Sequence, residues 1–407
     1  LQEYLRRENE TFFEWKLRLI VGKIEKTIDL DWIEIRDLLG LDCSPDHLRK
    51  TAYGIYEYYE YFQDKIEDGL TGDEILEEYE QKRLELEKSK IKFYDQKREF
   101  RKLLREQARF EHLKEELHKS IAELAKSKPL NFKSSIITHY SNREAVLGLA
   151  DWHKGLFVQN YWNEFNNQEF ERRIKRLVEK TIEYCKEQKV ATLHVVSLGD
   201  LINGYIKVNA RITNEEDVIK QTQSVAETIA EMLAEFAGYF GHIKFYSVVD
   251  NHSRLSPNKE DSITSENFMH LIPWYLNARL KHIPNIEIVD NDIDEEIAVI
   301  NVCGKKIFAT HGHRDSLKNI VQDLTLMLRD FPDYIMTGHL HHLYENEIHG
   351  VEVIMIPSLS GVDQYSKEIR KTNKPAQRLI IFDNFEGRLC TYNILLDIGK
   401  EYRVEFG

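Results

Sequence analysis

The stretch LHVVSLGD, Leu193–Asp200, decides the fold. Its apolar run is short and rich in Val, and it stops on a tight Gly-Asp turn. That is how a buried strand of an α/β sheet delivers a carboxylate to one edge. Four further runs stop in the same way. VLGLA (146–150) precedes Asp151-Trp152-His153, and FYSVV (245–249) precedes the Asn251-His252 pair. KIFAT (306–310) leads into His311-Gly312-His313, and DYIMT (333–337) into Gly338-His339-Leu340-His341. Two Asp, one Asn and several His on one sheet edge form a ligand set suited to a pair of divalent metals. Imidazole mixed with carboxylate favours Mn, Fe, Zn or Ni over Ca or Mg, which prefer all-oxygen shells.

Such a pair, about 3.5–4 Å apart, supplies a nucleophile at neutral pH and relieves negative charge on a phosphoryl group. Asp200, in the turn after the strongest apolar run, is the natural bridge between two ions. The ordered clusters resemble the calcineurin-like metallophosphoesterase family, whose pattern is D-x-H, G-D, G-N-H, a His-Gly segment and G-H-x-H. The match spans roughly residues 145–395 and carries all five segments in order. One short motif alone would be a weak signal.

The resemblance implies an α/β fold: a two-sheet sandwich flanked by helices. It implies one metal held by Asp151, His153, Asp200 and His341, and a second by Asp200, Asn251, His311 and His339. His252 would protonate the leaving oxygen or steady the transition state. The expected cofactor is two divalent ions, manganese first, with zinc, iron or nickel as alternatives. Asn203 fills the position three after the Gly-Asp pair, where the family often carries Asp or Asn, and is expected at the substrate. So is Arg254, just after His252. The family usually has Gly before the Asn-His pair, and here it is Asp250. Either Asp250 adopts the left-handed backbone a Gly would, or it adds an acceptor behind the metal ligands. His313 and His342 each lie beside an expected ligand and read either as supporting groups or as exposed side chains.

Within the family, the layout resembles phage- and prophage-encoded members. More distantly, it resembles the nuclease subunit of DNA double-strand-break repair complexes. The leading expectation is therefore a metal-dependent phosphodiesterase acting on nucleic acid. One alternative is a phosphodiesterase of small or cyclic nucleotides; another is a DNA-binding or scaffold subunit with a secondary metal site. Three loops after the motifs carry cations: Lys207 and Arg211; Arg254 and Lys259; and Lys367, Arg370, Lys371 and Lys374 with Tyr365. Cations beside a dinuclear site suit a polymer with further phosphates, although loops are commonly charged.

The 407 residues allow a large core and more than one domain. A net charge of −13 excludes binding nucleic acid through overall basicity, though not through a local patch. The cysteines Cys43, Cys185, Cys303 and Cys390 form no C-x-x-C and suggest reduced thiols, hence a cytoplasmic location. No run is long and apolar enough to span a membrane, so no membrane association is expected. The chain starts without Met or a signal-like segment, which suggests a start inside a longer or processed product.

Residues 1–72 read as a helical domain. A helical run ends at Gly40, and Ser44-Pro45-Asp46 looks like an N-cap with Pro at the first helical position, so a helix-turn-helix is possible. Its second helix would carry His47, Arg49 and Lys50 near its start. Residues 73–128 lack Gly and Pro and read as a long charged helix or a helical hairpin. Leu103, Phe110, Leu117 and Leu124 recur every seven residues, with Leu86, Phe93 and Phe100 as an offset series. This predicts a homodimer or a protein partner through the N-terminal helices. Between Lys88 and Arg109 stand nine Lys/Arg and three Asp/Glu, which read as a solvated face or as a basic stripe. Residues 129–143 look like a linker, and 144–407 form the metal-binding domain. Helices are expected near 168–188, 214–237, 262–281 and 315–330.

Overall fold

The computed structural model describes residues 2–67, 72–124, 128–130, 141–206, 212–368, 370 and 372–397. The chain divides into two units, Leu1–Phe110 and Glu111–Gly407. The fold class is the one expected: an α/β two-sheet sandwich flanked by helices, with an α-helical N-terminal region.

In the first unit, three helices close around Trp15, Leu19, Leu30, Ile35, Leu39 and Leu48. They are α1 (Phe12–Ile24), α2 (Trp32–Leu39) and α3 (Pro45–Glu67). Thr11 and Asp31 begin α1 and α2 with reciprocal capping boxes. Gly40 ends α2 at φ 59, where a residue without Cβ escapes the steric cost. Ser44 Oγ accepts the His47 amide at 3.2 Å and starts α3. Arg49 and Lys50 lean back onto the Asp46 carboxylate at 2.8 and 2.7 Å. The chain then enters one continuous helix, α4 (Gly72–Leu124), and not a hairpin. Its first turns pack on α3 through Tyr58, Phe62 and Tyr79, and Glu78 pairs with Lys65 and Lys82. Residues 81–100 are exposed throughout, among them Leu84, Leu86, Ile91, Phe93, Tyr94 and Phe100. The side chains of Leu103, Phe110, Leu117 and Leu124 lie outside the described residues.

The second unit stacks two sheets. The first has the order β13-β12-β1-β4-β5-β6. Its strands are β1 (Arg143–Leu149), β4 (Thr192–Ser197), β5 (His242–Ser247), β6 (Ile286–Ile288), β12 (Ala376–Asp383) and β13 (Gly387–Leu395). Strands β1, β4, β5 and β6 run parallel, so their C-terminal ends share one edge. The second sheet has the order β10-β11-β9-β8-β7. It comprises β7 (Ile297–Val302), β8 (Lys305–Thr310), β9 (Tyr334–Thr337), β10 (Tyr344–Ile348) and β11 (Val351–Met355), with β8, β9 and β11 parallel. A small hairpin, β2 (Val158–Gln159) and β3 (Glu164–Phe165), follows β1.

The sheets meet face to face through Val146, Val196, Tyr246 and Ile380 from one side and Ile300, Ile307, Met336 and Ile354 from the other. Each such side chain, fully buried, contributes on the order of 1.5–3 kcal/mol. The outer face of the first sheet is covered by α5 (Asn167–Glu187), α6 (Val218–Ala237) and α7 (Leu271–Arg279). In α5, Phe170, Ile174, Leu177, Val178 and Ile182 recur at helical spacing and form its buried face. The second sheet is covered by α8 (Ile320–Leu328), through Ile320, Val321 and Leu324.

Three helices begin later than the sequence suggests, the one expected near 214–237 starting at Val218. The expected helix at 262–281 starts only at Leu271, after a 3₁₀ turn at Phe268–His270. Pro273 falls in its first turn, where no donor is lost. Residues 316–319 make turns onto the Ser316 carbonyl before α8, and Arg329 ends α8 at φ 52. Among the described residues, no helix is long and apolar enough to cross a membrane.

Candidate metal centre

Each cluster stands just past a strand end, so the parallel strands deliver all of them to one edge. Asp151 and His153 follow β1, Asp200 follows β4, and Asn251 and His252 follow β5. From the second sheet come His311 after β8 and His339 and His341 after β9. Hydrogen bonds join the two sheets at this edge. The His339 amide donates to Asp151 Oδ2 at 3.0 Å, and His311 Nδ1 to the Leu198 carbonyl at 2.7 Å. Two groups of side chains result. Asp151, His153, Asp200 and His341 offer ligand atoms within 4.8 Å of one another, as do Asp200, His311 and His339. Asp200 belongs to both. Asn251 Oδ1 joins the second group, 3.0 Å from His311 Nε2.

The backbone carries the cost of this convergence. Asp151, His153, Asp200, His339 and His341 all have φ between 48 and 68. That left-handed region is unfavourable for residues with a Cβ, and outliers of this kind gather at functional sites. Glycines clear the remaining space. A Cβ on Gly204 would collide with the His252 carbonyl, and one on Gly199 would lie 2.5 Å from the Asp250 Cβ.

The arrangement fits cations. Among the described residues, the buried Asp151 Oδ1, His153 Nδ1 and His339 Nδ1 find no hydrogen-bond partner. Such atoms are expensive without compensation. His153 Nε2 faces His341 Nε2 at 3.1 Å, and His341 Nε2 lies 3.4 Å from Asp151 Oδ1. Nitrogens converging on one point beside a carboxylate suit a shared metal ion better than one another. Burial would raise the Asp200 carboxyl, but the rings of His252, His311 and His153 hold it well below its ordinary value. Burial would lower His311, yet the Asp200 carboxylate 3.2 Å away raises it to about 10. Burial and the neighbouring rings hold His153 well below its usual range.

His252 is placed differently. Its Nδ1 lies 2.9 Å from the Asn203 carbonyl, which can only accept, so Nδ1 carries a hydrogen. Nε2 is left facing the site, 3.9 Å from Asp200 Oδ2. Asn203 thus meets His252 through its main chain, while its side-chain amide donates to Asn214 Oδ1 at 2.6 Å. Arg254 donates to the carbonyls of Ser256 and Pro257, both at 2.9 Å, and feels the field of Asp200. Asp250 has ordinary backbone, and its carboxylate accepts from the Asp200 amide and from Ser253. His313 packs tilted against His311 and edge-on to His339 and approaches Glu296 at 3.6 Å; burial and the His311 ring lower it to about 3. His342 lies 2.8 Å from the Leu340 carbonyl. Of the cationic loops, Lys207, Arg211, Lys371 and the Tyr365 side chain lie outside the described residues.

Several supporting residues escaped the sequence reading. Gln377 is fully buried. Its Oε1 accepts from the Ala150 amide and from Trp152 Nε1, and its Nε2 donates to the Ala150 and Pro357 carbonyls, pinning the backbone beside Asp151. Ser358 Oγ donates to the Asp151 carbonyl at 2.9 Å. The buried Arg173, held by Glu169 at 2.9 Å, donates to the carbonyls of Leu359 and Ser360 and so fixes that loop. A strand-initial Gln and a helical Glu-Arg pair carry no motif, so only the fold shows their role.

No family model matches the chain. It is 27% identical, over 96% of its length and 98% of the other, to the SPbeta prophage-derived uncharacterized protein YonJ of Bacillus subtilis strain 168. Among solved structures, it is similar to an archaeal phosphodiesterase at 14% identity, with a TM-score of 0.32, covering 61% of this chain and 99% of that one. Entamoeba histolytica Vps29 complexed with zinc is 14% identical with a TM-score of 0.26, over 61% and 99% of the two chains. A predicted phosphoesterase of Streptococcus pneumoniae TIGR4 is 10% identical with a TM-score of 0.24, over 62% and 98%.

Proposed function

We propose that this chain is a dinuclear-metal-dependent phosphodiesterase that hydrolyses nucleic acid. The observation that carries the reading is the shared Asp200: two groups of metal-ligating side chains meet on one carboxylate, with His252 Nε2 turned toward it. In this reading Asp151, His153, Asp200 and His341 hold one ion, and Asp200, Asn251, His311 and His339 the other. Two divalent ions there, manganese first, supply a water nucleophile at neutral pH and neutralise charge on the phosphoryl oxygens. Asp200 fixes the spacing of the two groups. Asp151 Oδ2, through the His339 amide, keeps the two sheet edges in register. His252 keeps its Nδ1 hydrogen on the Asn203 carbonyl and, carrying a second hydrogen at Nε2, would donate that one to the leaving oxygen. We assign phosphate contact to Arg254, two residues past His252 on the loop after β5, and a positioning role to Asn203, whose carbonyl holds His252.

Cations on the nearby loop, Lys367, Arg370 and Lys374, support a polymeric substrate. The prophage relative supports placing the chain among phage-encoded proteins. Four free cysteines support a cytoplasmic location. We further propose that α4 pairs with a second copy of the chain. Its exposed 81–100 stretch carries Leu86, Phe93 and Phe100 at seven-residue spacing, which an identical helix can match.

The test is hydrolysis of a bis-aryl and a mono-aryl phosphate, then of single-stranded DNA, duplex DNA, RNA and cyclic nucleotides, each with Mn, Zn, Ni or Mg. Diester preference with turnover of a polynucleotide is the expected result. Turnover of cyclic nucleotides alone would replace nucleic acid by a small substrate. Bound metal without turnover would leave a binding or scaffold role.

A further inference from the structure

The hairpin after the first metal motif has an unusual tip. Its turn, Asn160-Tyr161-Trp162-Asn163, places two aromatic residues where tight turns favour Gly, Asn, Asp or Pro. Tyr161 and Trp162 are 63% and 42% exposed, and their rings meet edge to face at 5.5 Å. Nothing in the turn requires them. The two Asn residues make it: Asn160 Oδ1 accepts the amides of Trp162 and Asn163, and the Asn160 amide donates to the Asn163 carbonyl. On this small turn Tyr161 leaves most of its surface in water, and Trp162 leaves a large share of its own there.

The tip is fixed to the metal edge. The buried Asn163 donates from Nδ2 to the carbonyls of Ser360 at 2.7 Å and Val362 at 3.1 Å, and accepts from Arg173 at 2.9 Å. Ser360 in turn donates its amide to the Asp151 carbonyl at 3.3 Å. Two hydrogen bonds therefore separate the aromatic turn from the main chain of a proposed metal ligand. Val362 is followed by Asp363, whose field reaches His341. The same loop continues into the exposed Lys367, Arg370 and Lys374. Phe157, 45% exposed and four residues past His153, adds a third ring on the approach to the hairpin.

We propose that Tyr161 and Trp162 form a stacking platform for unpaired bases of a single-stranded nucleic acid, while the neighbouring cations receive its phosphates. Flat rings beside a cationic rim are the chemistry that binds single strands with little base preference. Bases inside a duplex present no free face to such a tip. The inference rests on the nucleic-acid reading of the metal centre and deepens it by naming the strand state.

The test is fluorescence anisotropy of the full-length protein, in chelator so that no cleavage occurs. The probes are labelled oligothymidylate and an abasic oligodeoxynucleotide of equal length. Each stacked base is worth on the order of 1–3 kcal/mol, or about 5- to 150-fold in affinity. Wild type should prefer oligothymidylate by that order. Tyr161→Ala/Trp162→Ala should bind both probes as weakly as wild type binds the abasic one, and Trp162→Phe should keep most of the preference. Equal affinity of wild type for the two probes, or an undiminished preference in the double variant, overturns the platform and leaves the nuclease reading standing. Binding of neither probe, by a protein that still hydrolyses a small diester, overturns the platform and the nucleic-acid reading together but leaves a phosphodiesterase.

Discussion

Asp250 Oδ2 accepts the backbone amide of Asp200 at 2.7 Å, so the residue just before Asn251 supports the main chain of the residue whose carboxylate both ligand groups share. Its Oδ1 accepts the Ser253 amide at 2.7 Å within the turn after β5, so the carboxylate as a whole ties that turn to the turn after β4. Asp250→Ala strands the buried Asp200 amide, at a cost of about 1–3 kcal/mol. Metal affinity should fall about 10- to 100-fold, as when groups behind metal ligands are removed. Competition against a chromogenic chelator measures it, and an unchanged affinity would remove Asp250 from this role.

Asp200→Asn should nearly abolish activity while the fold survives. The change removes the one charge that serves both groups, so both ions should be depleted together. Metal analysis beside a far-ultraviolet dichroism spectrum decides the matter. Two retained ions with normal turnover would contradict the bridging role.

His252→Ala should keep both metals and lose about 10²–10⁴-fold in turnover. A diester with a good leaving group needs little proton help and should be partly rescued, whereas a nucleic-acid diester should not. Equal losses on both substrates would show that Nε2 only positions the phosphate. Loss of metal would make His252 a ligand.

Glu169 holds Arg173, and Arg173 ties their helix to the loop beside Asp151. Burial would raise the Glu169 carboxyl, but Arg172 and Arg173 outweigh burial and bring it down to about 2. Its folded value lies below its ordinary 4.5, so its stabilisation is present above pH 4.5 and is lost as pH falls toward 2. Glu169→Gln also leaves Arg173, 1% exposed, without its charge partner, costing about 3–5 kcal/mol at neutral pH. Melting temperatures across pH should show a gap between wild type and variant that narrows through this acid window. A constant gap would mean that the ion pair does not set it.

Leu86, Phe93 and Phe100, all at least 60% exposed, should each be replaceable by Glu without unfolding the second unit. The triple variant should run as a monomer in light scattering where wild type runs as a dimer. A monomeric wild type would remove self-association through α4.

The edge that carries the candidate ligands was legible because its residues sit at fixed offsets after apolar runs, and strand ends are set by local pattern. Asp151, Asp200 and His311 could be placed by that rule alone. Gln377 could not, because its partners Ala150 and Trp152 are more than two hundred residues away in sequence. Asp250 was legible as a departure, but not its ordinary φ, which depends on the carboxylate finding the Asp200 amide. Helix starts were misplaced where side-chain turns compete with helix, as at Asn267, whose Oδ1 accepts the Met269 amide. The exposed aromatic turn gave no periodic signal at all, since a four-residue tip is shorter than any repeat.

Five of the proposed ligand positions share the left-handed backbone region. At about 1–2 kcal/mol each, the total strain is comparable to the whole stability of an ordinary domain. Such a site cannot be transplanted as a set of side chains. Grafting Asp151, His153, Asp200, His339 and His341 onto another α/β edge would let the recipient backbone relax and scatter them. An engineer borrowing this chemistry would have to carry over the turns, the cross-sheet bonds and Gln377 as one piece.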